Sequence, residues 1–340
     1  MEEQHWMIRY MFALKKIKEF IDVKIGGSII VLSLLEGLSI LIGYNHRNYS
    51  VYNPIHSTDD IFRLCCLIIF LSFLNLCIDF VFCSLIDKRN SKFSELLFFN
   101  EKRLFWILFG TLILFWMPYF VLSYPGGAWY DTGNQICQIM GAEVLTKANP
   151  LLQTLLSGGF FLVGTKLGNP EFGIALYIII QMITSALVLS YSIISLCRIF
   201  KSKWIPILMV ISYAIIPVVP LYIITIGKDT NFGIQIVLAL TCITNIYQNG
   251  MINKIDKVLY PVSIILMSLF RNAGIYLAVL FVIVSVAVAS KRRKLSAVLG
   301  VGAIVFVLIF QIVSTSAFQI DMKVNETENL SIPLLQMGGI

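Results

Sequence analysis

Three short clusters of charged side chains interrupt a sequence that is otherwise strongly apolar. Asp131 follows a Pro-Gly-Gly turn, Lys228 and Asp229 are adjacent, and Arg271 lies between two apolar runs. A carboxylate can accept a proton from a hydroxyl group or bind a divalent cation. Lysine binds phosphate as a point charge, and arginine binds it through two parallel hydrogen bonds. We therefore predict Asp131 as general base or metal ligand, with Lys228, Asp229 and Arg271 around a phosphate.

Each cluster also has an ordinary explanation. Asp131 fits a solvated loop carboxylate, and Lys228 fits a lysine that extends toward the membrane surface beside its own counter-ion, Asp229. Arg271 fits a simple loop charge. An arginine between two apolar runs is nevertheless costly unless it faces protein, water or an anion. The functional interpretation of the three clusters is favoured over these ordinary explanations only if the fold brings them to one place.

The composition restricts the class of protein. Of 340 residues, 58% are hydrophobic and only 13% are charged, about half the charged share of a soluble domain. A soluble enzyme, a disordered chain and a secreted disulfide scaffold are excluded on this basis. The net charge is +7. In a membrane protein such an excess indicates basic cytoplasmic loops, so we expect no nucleic-acid partner.

The apolar runs predict an all-α, multi-pass transmembrane helical bundle with about nine spans, because a helix needs about 20 apolar residues to cross a bilayer. The stretch 151–167 is apolar but brief, and it predicts a re-entrant or interfacial helix in the first large external loop. Two short runs flank Arg271 and could instead form one long broken helix. The predicted spans are 25–44, 64–86, 104–123, 172–197, 204–226, 230–248, 257–270, 273–290 and 295–318.

The positions of the basic residues predict the orientation. If the N-terminus is cytoplasmic and the nine spans alternate, 19 of the 26 Lys and Arg residues fall on the cytoplasmic side. The run 291–294 contributes four of them. This bias predicts a multi-pass protein of the cell membrane with a cytoplasmic N-terminus, and it requires 151–167 not to cross. The three charged clusters then share the outer side.

Two regions follow from this arrangement. Residues 1–103 are predicted to form an N-terminal membrane segment with two spans and a basic cytoplasmic loop, and residues 104–340 the membrane core that carries the charged clusters. Trp129 and Tyr130, directly before Asp131, suit the aromatic belt at the level of the lipid headgroups.

The order of the polar motifs resembles the glycosyltransferase C superfamily, and within it a group of poorly characterised bacterial polytopic proteins. The resemblance covers about residues 104–340 and rests on six weak motifs in the same order. They are Pro125-Gly126 with Asp131-Thr132 and Gln135, Asn149-Pro150 with Thr154, Gly168-Asn169 with Gly173, Tyr177 and Gln181, Lys228-Asp229, Arg271-Asn272-Ala273-Gly274, and Ile332-Pro333 with Gln336.

This resemblance implies an integral membrane glycosyltransferase. The enzyme would move a sugar from a polyprenyl-phosphate-type donor, held in the membrane lipid, to an envelope polymer, lipid or protein on the outer face. Asp131 would be the catalytic residue, with a divalent cation (Mg or Mn) as a candidate cofactor. Lys228, Asp229 and Arg271 would bind the donor phosphate. The expected substrate contacts are Trp129, Tyr130, Gln135, Asn149 and Asn272.

Two departures from that pattern leave alternatives open. Relatives often carry histidines before the proline of the second motif, where this chain has Lys147-Ala148-Asn149-Pro150. Relatives also continue beyond the last motif, so the core is expected to be incomplete at its C-terminus. The alternatives are a transporter or flippase of an envelope precursor, and an inactive fragment or scaffold.

Overall fold

The computed structural model of the chain describes residues 23–49, 55, 57–87, 91–128, 130–200, 204–291 and 293–320. These residues are almost entirely helical, as predicted. A single pair of two-residue strands is the only sheet among them. The contacts divide the chain into two compact units between Lys88 and Arg89. The predicted boundary at 103/104 instead falls within a continuous helix, Ser91–Leu122.

The first unit contains two long helices, α1 (Val23–Tyr49) and α2 (Thr58–Asp87), which pack against each other. They correspond to the predicted spans 25–44 and 64–86. Asn75 on α2 donates hydrogen bonds to the Glu36 carboxylate at 3.0 Å and to the Ser33 hydroxyl at 3.2 Å on α1. The carboxylate of Glu36, which lies in an apolar segment, therefore has polar partners within this helix pair.

The second unit begins with α3 (Ser91–Leu122) and holds all the predicted site residues. In chain order it continues with β1 (Gly127–Ala128), α4 (Tyr130–Ile139), α5 (Leu151–Lys166), α6 (Pro170–Phe200), α7 (Trp204–Val210), α8 (Val218–Ile223), β2 (Thr225–Ile226), α9 (Lys228–Asn249), α10 (Asp256–Phe270), α11 (Gly274–Val288) and α12 (Arg293–Ala317). A helix satisfies its own backbone hydrogen bonds, which suits apolar segments in lipid.

Within the described residues, four helical segments are long and apolar enough to cross a membrane. They are Glu101–Leu122, Pro170–Phe200, Lys228–Asn249 and Arg293–Ala317. These segments support a membrane protein, and they do not by themselves support nine spans. Helices α10 and α11 are separate helices of 15 residues each, joined by Arg271, Asn272 and Ala273. The alternative of one long broken helix is therefore not what the structure contains.

The predicted span 204–226 is not one continuous helix. Helix α7 runs into a π-helical turn at Ile211–Ile215, α8 follows as a separate short helix, and the chain is extended from Thr225. Pro217 and Pro220 account for the interruption, because proline lacks the N–H that the preceding turn needs and its ring crowds that turn. The chain is therefore extended where it approaches Lys228.

The helix ends of the second unit meet in two groups. Asp131, Lys228 and Arg271 lie among the contacts of one group, which we call the site end. At the far end, Arg198 on α6 forms two hydrogen bonds with Glu101 on α3, at 2.9 and 2.8 Å. Gln181, whose side chain bonds to Thr225 at the site end, lies seventeen residues before Arg198 on α6, or about 26 Å along a helix. That separation is close to the thickness of a bilayer's hydrocarbon core, about 30 Å.

Helix α5 does not run between the two ends. Its Gln153 contacts Tyr177, and a Cβ on its Gly164 would lie 2.6 Å from the backbone nitrogen of Gly173. Both partners belong to the first turns of α6, before Gln181. Helix α5 is thus a short helix packed at the site end, as the sequence predicts for 151–167. The glycine pair lets the two backbones approach more closely than any other residue would permit.

Candidate functional site

The site end is built on a parallel pairing of two-residue strands. Gly127 pairs with Thr225 and Ala128 with Ile226, and the Gly127 N–H donates to the Ile224 carbonyl at 3.0 Å. A Cβ on Gly127 would lie 2.6 Å from the Thr225 hydroxyl oxygen, so only glycine fits this approach without displacing the partner strand. The pairing places the start of α4 beside the start of α9.

One hydroxyl group fixes the first turn of α4 against the same strand. Thr132, which is 2% exposed, donates to the Ile226 carbonyl at 3.0 Å. Asp131 precedes it, and its carboxylate meets the Lys228 ammonium at 2.5 Å. Lys228 is the first residue of α9, directly after β2 and Gly227. The ion pair therefore joins two loops that are 97 residues apart in the sequence.

A second ion pair adjoins the first. Asp229 follows Lys228, and its carboxylate contacts the Arg271 guanidinium at 2.9 Å. The guanidinium also lies 5.5 Å from the centre of the Phe232 ring, one turn further along α9. We call Asp131, Lys228, Asp229 and Arg271 the ion-pair chain. The three charged clusters singled out in the sequence thus meet at one place.

The ion-pair chain is accessible, which a site requires. The exposed fractions are 42% for the Asp131 side chain, 25% for Lys228, 57% for Asp229 and 48% for Arg271. At such exposure an ion pair contributes little to folding, typically below about 1 kcal/mol. Both carboxylates lie in the first turn of a helix, where the positive end of the helix dipole favours them. The same N-terminal position on α9 favours a phosphate group.

The four charges sum to zero, which sets a condition on any anionic ligand. A phosphate that binds Lys228 or Arg271 must compete with a carboxylate that already occupies it. A divalent cation held by Asp131 and by phosphate oxygens would remove one of these competitors, and magnesium is commonly bound by one or two carboxylates with substrate phosphates. No cluster of three or more His, Cys, Asp or Glu side chains that could hold a metal by itself occurs in the described part of the chain.

A buried polar network supports the loop that carries Lys228 and Asp229. Gln181 on α6 donates its amide hydrogens to the carbonyls of Ile223, at 2.6 Å, and Thr225, at 3.0 Å. Its carbonyl oxygen accepts a hydrogen bond from Asn231 on α9 at 3.1 Å. Gln181 therefore fixes both the strand before the ion-pair chain and the helix after it. Lys228 and Asp229 lie between these two points of attachment.

The network continues from α9 to α5. Asn231 donates to the Tyr177 hydroxyl at 2.7 Å, and Tyr177 and Gln153 bond to each other at 3.1 Å. Sequence reasoning gave no role to Gln153 or Asn231, and it used Tyr177 only as part of a motif. The available signal was an amide in the apolar segment 151–167 and another three residues after Lys228. Amides in such segments need partners, since a buried unpaired polar group is costly.

The structure describes the side chains of three of the five predicted substrate contacts. Trp129 and the side chain of Tyr130 lie outside the described residues. Gln135 is 2% exposed; it accepts a hydrogen bond from Ser157 at 3.1 Å and donates to Asn149 at 3.4 Å. This arrangement links α4 to the loop before α5. Asn149 is partly buried in that loop, and Asn272 is exposed next to Arg271, where its amide donates to the Lys147 carbonyl at 2.8 Å.

A comparison with protein families identifies the group to which the chain is related. Residues 140–338, more than half of the chain, match the model of a family of unknown function, DUF6020. The chain belongs to this family. The region that defines DUF6020 here includes Lys228, Asp229 and Arg271 but begins after Asp131. No curated protein matches the chain, and no solved structure matches it.

Proposed function

We propose that this DUF6020 protein is an integral membrane glycosyltransferase. It moves a sugar from a polyprenyl-phosphate-type donor to an envelope polymer, lipid or protein on the outer face of the cell membrane. The observation that carries the proposal is the ion-pair chain: two carboxylates paired with two cations, all four accessible, at one end of the apolar helical bundle. The resemblance to the glycosyltransferase C superfamily supports the same reaction class.

The roles of the four residues follow from their chemistry. Asp131 accepts the proton of the attacking acceptor hydroxyl, with or without a bound divalent cation. Lys228 and Arg271 bind the donor phosphate and neutralise the charge that develops on it as the sugar leaves. Asp229 orients Arg271. The isoprenoid chain stays in the bilayer while its phosphate reaches the headgroup level, so a site at the ends of apolar helices suits such a donor.

The membrane arrangement is part of the proposal. The N-terminus is cytoplasmic, nine segments cross, and the ion-pair chain faces outward. This requires the broken segment 204–226 to count as one crossing and α5 to remain on the outer side. Gln181 and Arg198 lie about 26 Å apart along α6, which supports placing the two ends of the bundle on opposite sides of a membrane. The bias of basic residues toward the predicted cytoplasmic loops supports its direction.

The test measures transfer directly. The full chain, purified into lipid nanodiscs, is incubated with a panel of radiolabelled sugars on synthetic polyprenyl phosphate and with envelope fractions of its host cell. We expect label to enter an envelope fraction, and Asp131→Asn to abolish this without reducing the amount of inserted protein. The matched control is Glu143→Gln, which removes an exposed carboxylate from the same loop. Transfer at the wild-type rate by Asp131→Asn would overturn the mechanism.

A transporter or flippase of an envelope precursor is the second candidate, and one observation favours it. Asp256, at the far end, is fully buried; one carboxylate oxygen accepts a hydrogen bond from Tyr191 at 2.6 Å, and the other has no hydrogen-bond partner within the described part of the chain. Buried carboxylates in membrane helices often mark proton or ion pathways. Substrate flux into proteoliposomes without formation of a glycosylated product, together with its loss in Asp256→Asn, would establish this alternative.

A further inference from the structure

A cavity of about 900 Å³ opens at the site end of the bundle. Its volume lies near the upper limit of ordinary small-molecule sites, which span about 300–1,000 Å³. Three elements line it: the loop 146–149 with the start of α5, the turn between α10 and α11, and the last turns of α12. None of the lining residues belongs to the ion-pair chain.

The cavity nevertheless shares two walls with the ion-pair chain. Asn272 lines the cavity and directly follows Arg271. Asn149 also lines it and accepts a hydrogen bond from Gln135, one helical turn after Asp131 on α4. The hydrogen bond from Asn272 to the Lys147 carbonyl joins the turn between α10 and α11 to the loop 146–149, so the two walls are in contact. A ligand in the cavity would therefore lie next to any group that binds to Asp131 and Arg271.

The lining combines apolar side chains, on ten of its 20 residues, with eight that carry uncharged hydrogen-bonding groups. The polar lining residues are Thr146, Asn149, Ser268, Asn272, Gln311, Ser314, Thr315 and Ser316. Among the lining residues that the structure describes, Lys147 is the single charged one, and none carries a carboxylate. A basic ligand would meet no counter-ion there, and the Lys147 side chain is exposed to solvent, where salt screens its attraction for an acidic ligand. The lining chemistry therefore favours a neutral ligand that carries many hydroxyl groups.

Several of these polar groups are available to a ligand. The hydroxyls of Ser314 and Thr315 donate to the Gln311 carbonyl of their own helix, at 3.1 and 2.7 Å, so their oxygen lone pairs remain free to accept. The side-chain amide of Gln311 has no hydrogen-bond partner among the described residues. It can both donate and accept, as recognition of a hydroxyl group requires.

An aromatic side chain completes the lining. Tyr276, in the first turn of α11, lines the cavity and is 78% exposed. The flat face of a sugar ring presents C–H groups, which pack against an aromatic ring while the ring hydroxyls bond to amides. An isoprenoid chain would offer no partner to the amides and hydroxyls of this lining.

We propose that this cavity binds the glycan acceptor, and that the acceptor is an uncharged oligosaccharide or its terminal sugars. This inference rests on the proposed function, because it names the acceptor class of the same reaction. It assigns Tyr276 as the stacking surface and Gln311 as a hydroxyl-binding residue. The two residues belong to different helices, so a ligand that contacts both spans the cavity.

Binding can be measured without transfer. The full chain in nanodiscs is titrated with uncharged di- to tetrasaccharides of glucose, galactose, mannose and N-acetylglucosamine, and with sialyllactose as a charged comparator. We expect at least one neutral oligosaccharide to bind with a dissociation constant at or below about 1 mM, and more tightly than sialyllactose. We expect Tyr276→Ala and Gln311→Leu each to weaken this binding by about threefold to tenfold.

Matched variants separate this result from a general loss of structure. Tyr247→Ala removes a tyrosine that is 71% exposed outside the cavity, and Gln248→Leu removes an exposed amide there; both should bind the oligosaccharide as the wild type does. If no neutral oligosaccharide binds by about 1 mM, or if Tyr276→Ala and Gln311→Leu bind like the wild type, the inference is overturned.

Failure of the inference and failure of the proposed function give different results. Asp131→Asn should bind the oligosaccharide normally and transfer nothing. Transfer without oligosaccharide binding would overturn the acceptor assignment and leave the transferase proposal standing. Oligosaccharide binding without transfer from any donor of the panel would keep the cavity assignment and count against the transferase.

Discussion

A catalytic role of the pair formed by Asp131 and Lys228 can be distinguished from a structural role, because the two roles predict mutational effects of different size. The relevant perturbations are Asp131→Asn, Lys228→Met, the double variant and the charge exchange Asp131→Lys with Lys228→Asp. With exposed fractions of 42% and 25%, the ion pair stabilises the fold by less than about 1 kcal/mol. Loss of a general base instead lowers the rate by about 10²- to 10⁴-fold, or about 2.7–5.5 kcal/mol.

The two single variants should also differ in kind. Asp131→Asn should lower kcat with little change in KM for the donor, because proton acceptance occurs only in the reaction. Lys228→Met should mainly raise KM for the donor, by about 10- to 150-fold for one lost charged hydrogen bond of about 1.5–3 kcal/mol. The assay is radiolabel transfer from the polyprenyl-phosphate sugar in nanodiscs, normalised to inserted protein, with thermal stability measured on the same samples.

The charge exchange decides between the two interpretations. It restores an ion pair in the reverse direction but places the carboxylate on α9 and the cation on α4. If the pair serves only to join the two loops, the exchange variant should recover activity, and the two single variants should lose equal amounts. Recovery of more than about a tenth of wild-type activity, a deficit below about 1.4 kcal/mol, would refute the catalytic assignment. Glu143→Gln and Lys166→Met, at exposed charges of the same region, serve as controls.

Two further predictions concern the supports of the site. Gly164→Ala should lower the melting temperature in detergent, because its Cβ would lie 2.6 Å from the Gly173 backbone and such overpacking costs about 1–3 kcal/mol. Gly159→Ala on the same helix is the control, since the space around its Cβ is open. Equal melting temperatures of the two variants would contradict the close packing. Gln181→Leu should cost about 1–3 kcal/mol and slow transfer, because it leaves the Ile223 and Thr225 carbonyls unpaired. Thr184→Val, whose hydroxyl bonds only to its own helix, is the control, and an unchanged transfer rate in Gln181→Leu would remove this positioning role.

Much of the helical architecture could be predicted because its cause is local. A long apolar run in lipid must satisfy its own backbone, and a helix does so. The short apolar stretch 151–167 likewise indicated a short helix, and the structure contains one of 16 residues, Leu151–Lys166. The interruption of 204–226 could also have been found, since Pro217 and Pro220 lie inside that run. Average hydropathy outweighed these two residues in the prediction, although each removes a backbone donor.

The remaining features depend on long-range partners that no local pattern contains. The pairing of Gly127 with Thr225 joins two-residue strands almost a hundred positions apart, too short to show any periodicity. The network through Gln153 and Asn231 requires knowledge of which helix faces meet. The ion-pair chain was partly accessible to sequence reasoning, because alternation of spans places Asp131, Lys228 and Arg271 on one side. Which carboxylate faces which cation was not.

The observed pairing changes how the charged residues must act. Taken separately, Lys228 and Arg271 suggest a preformed cationic site, but each already contacts a carboxylate. A donor phosphate that binds both cations displaces Asp131 and Asp229 from them. Displacement would release the Asp131 carboxylate at the moment when an acceptor hydroxyl needs a base, and it would leave that carboxylate near the cavity wall formed by Asn149. If Asp131 is the base, as proposed, donor binding and activation of the base would be one event, which would account for the ion pair that its carboxylate forms with Lys228.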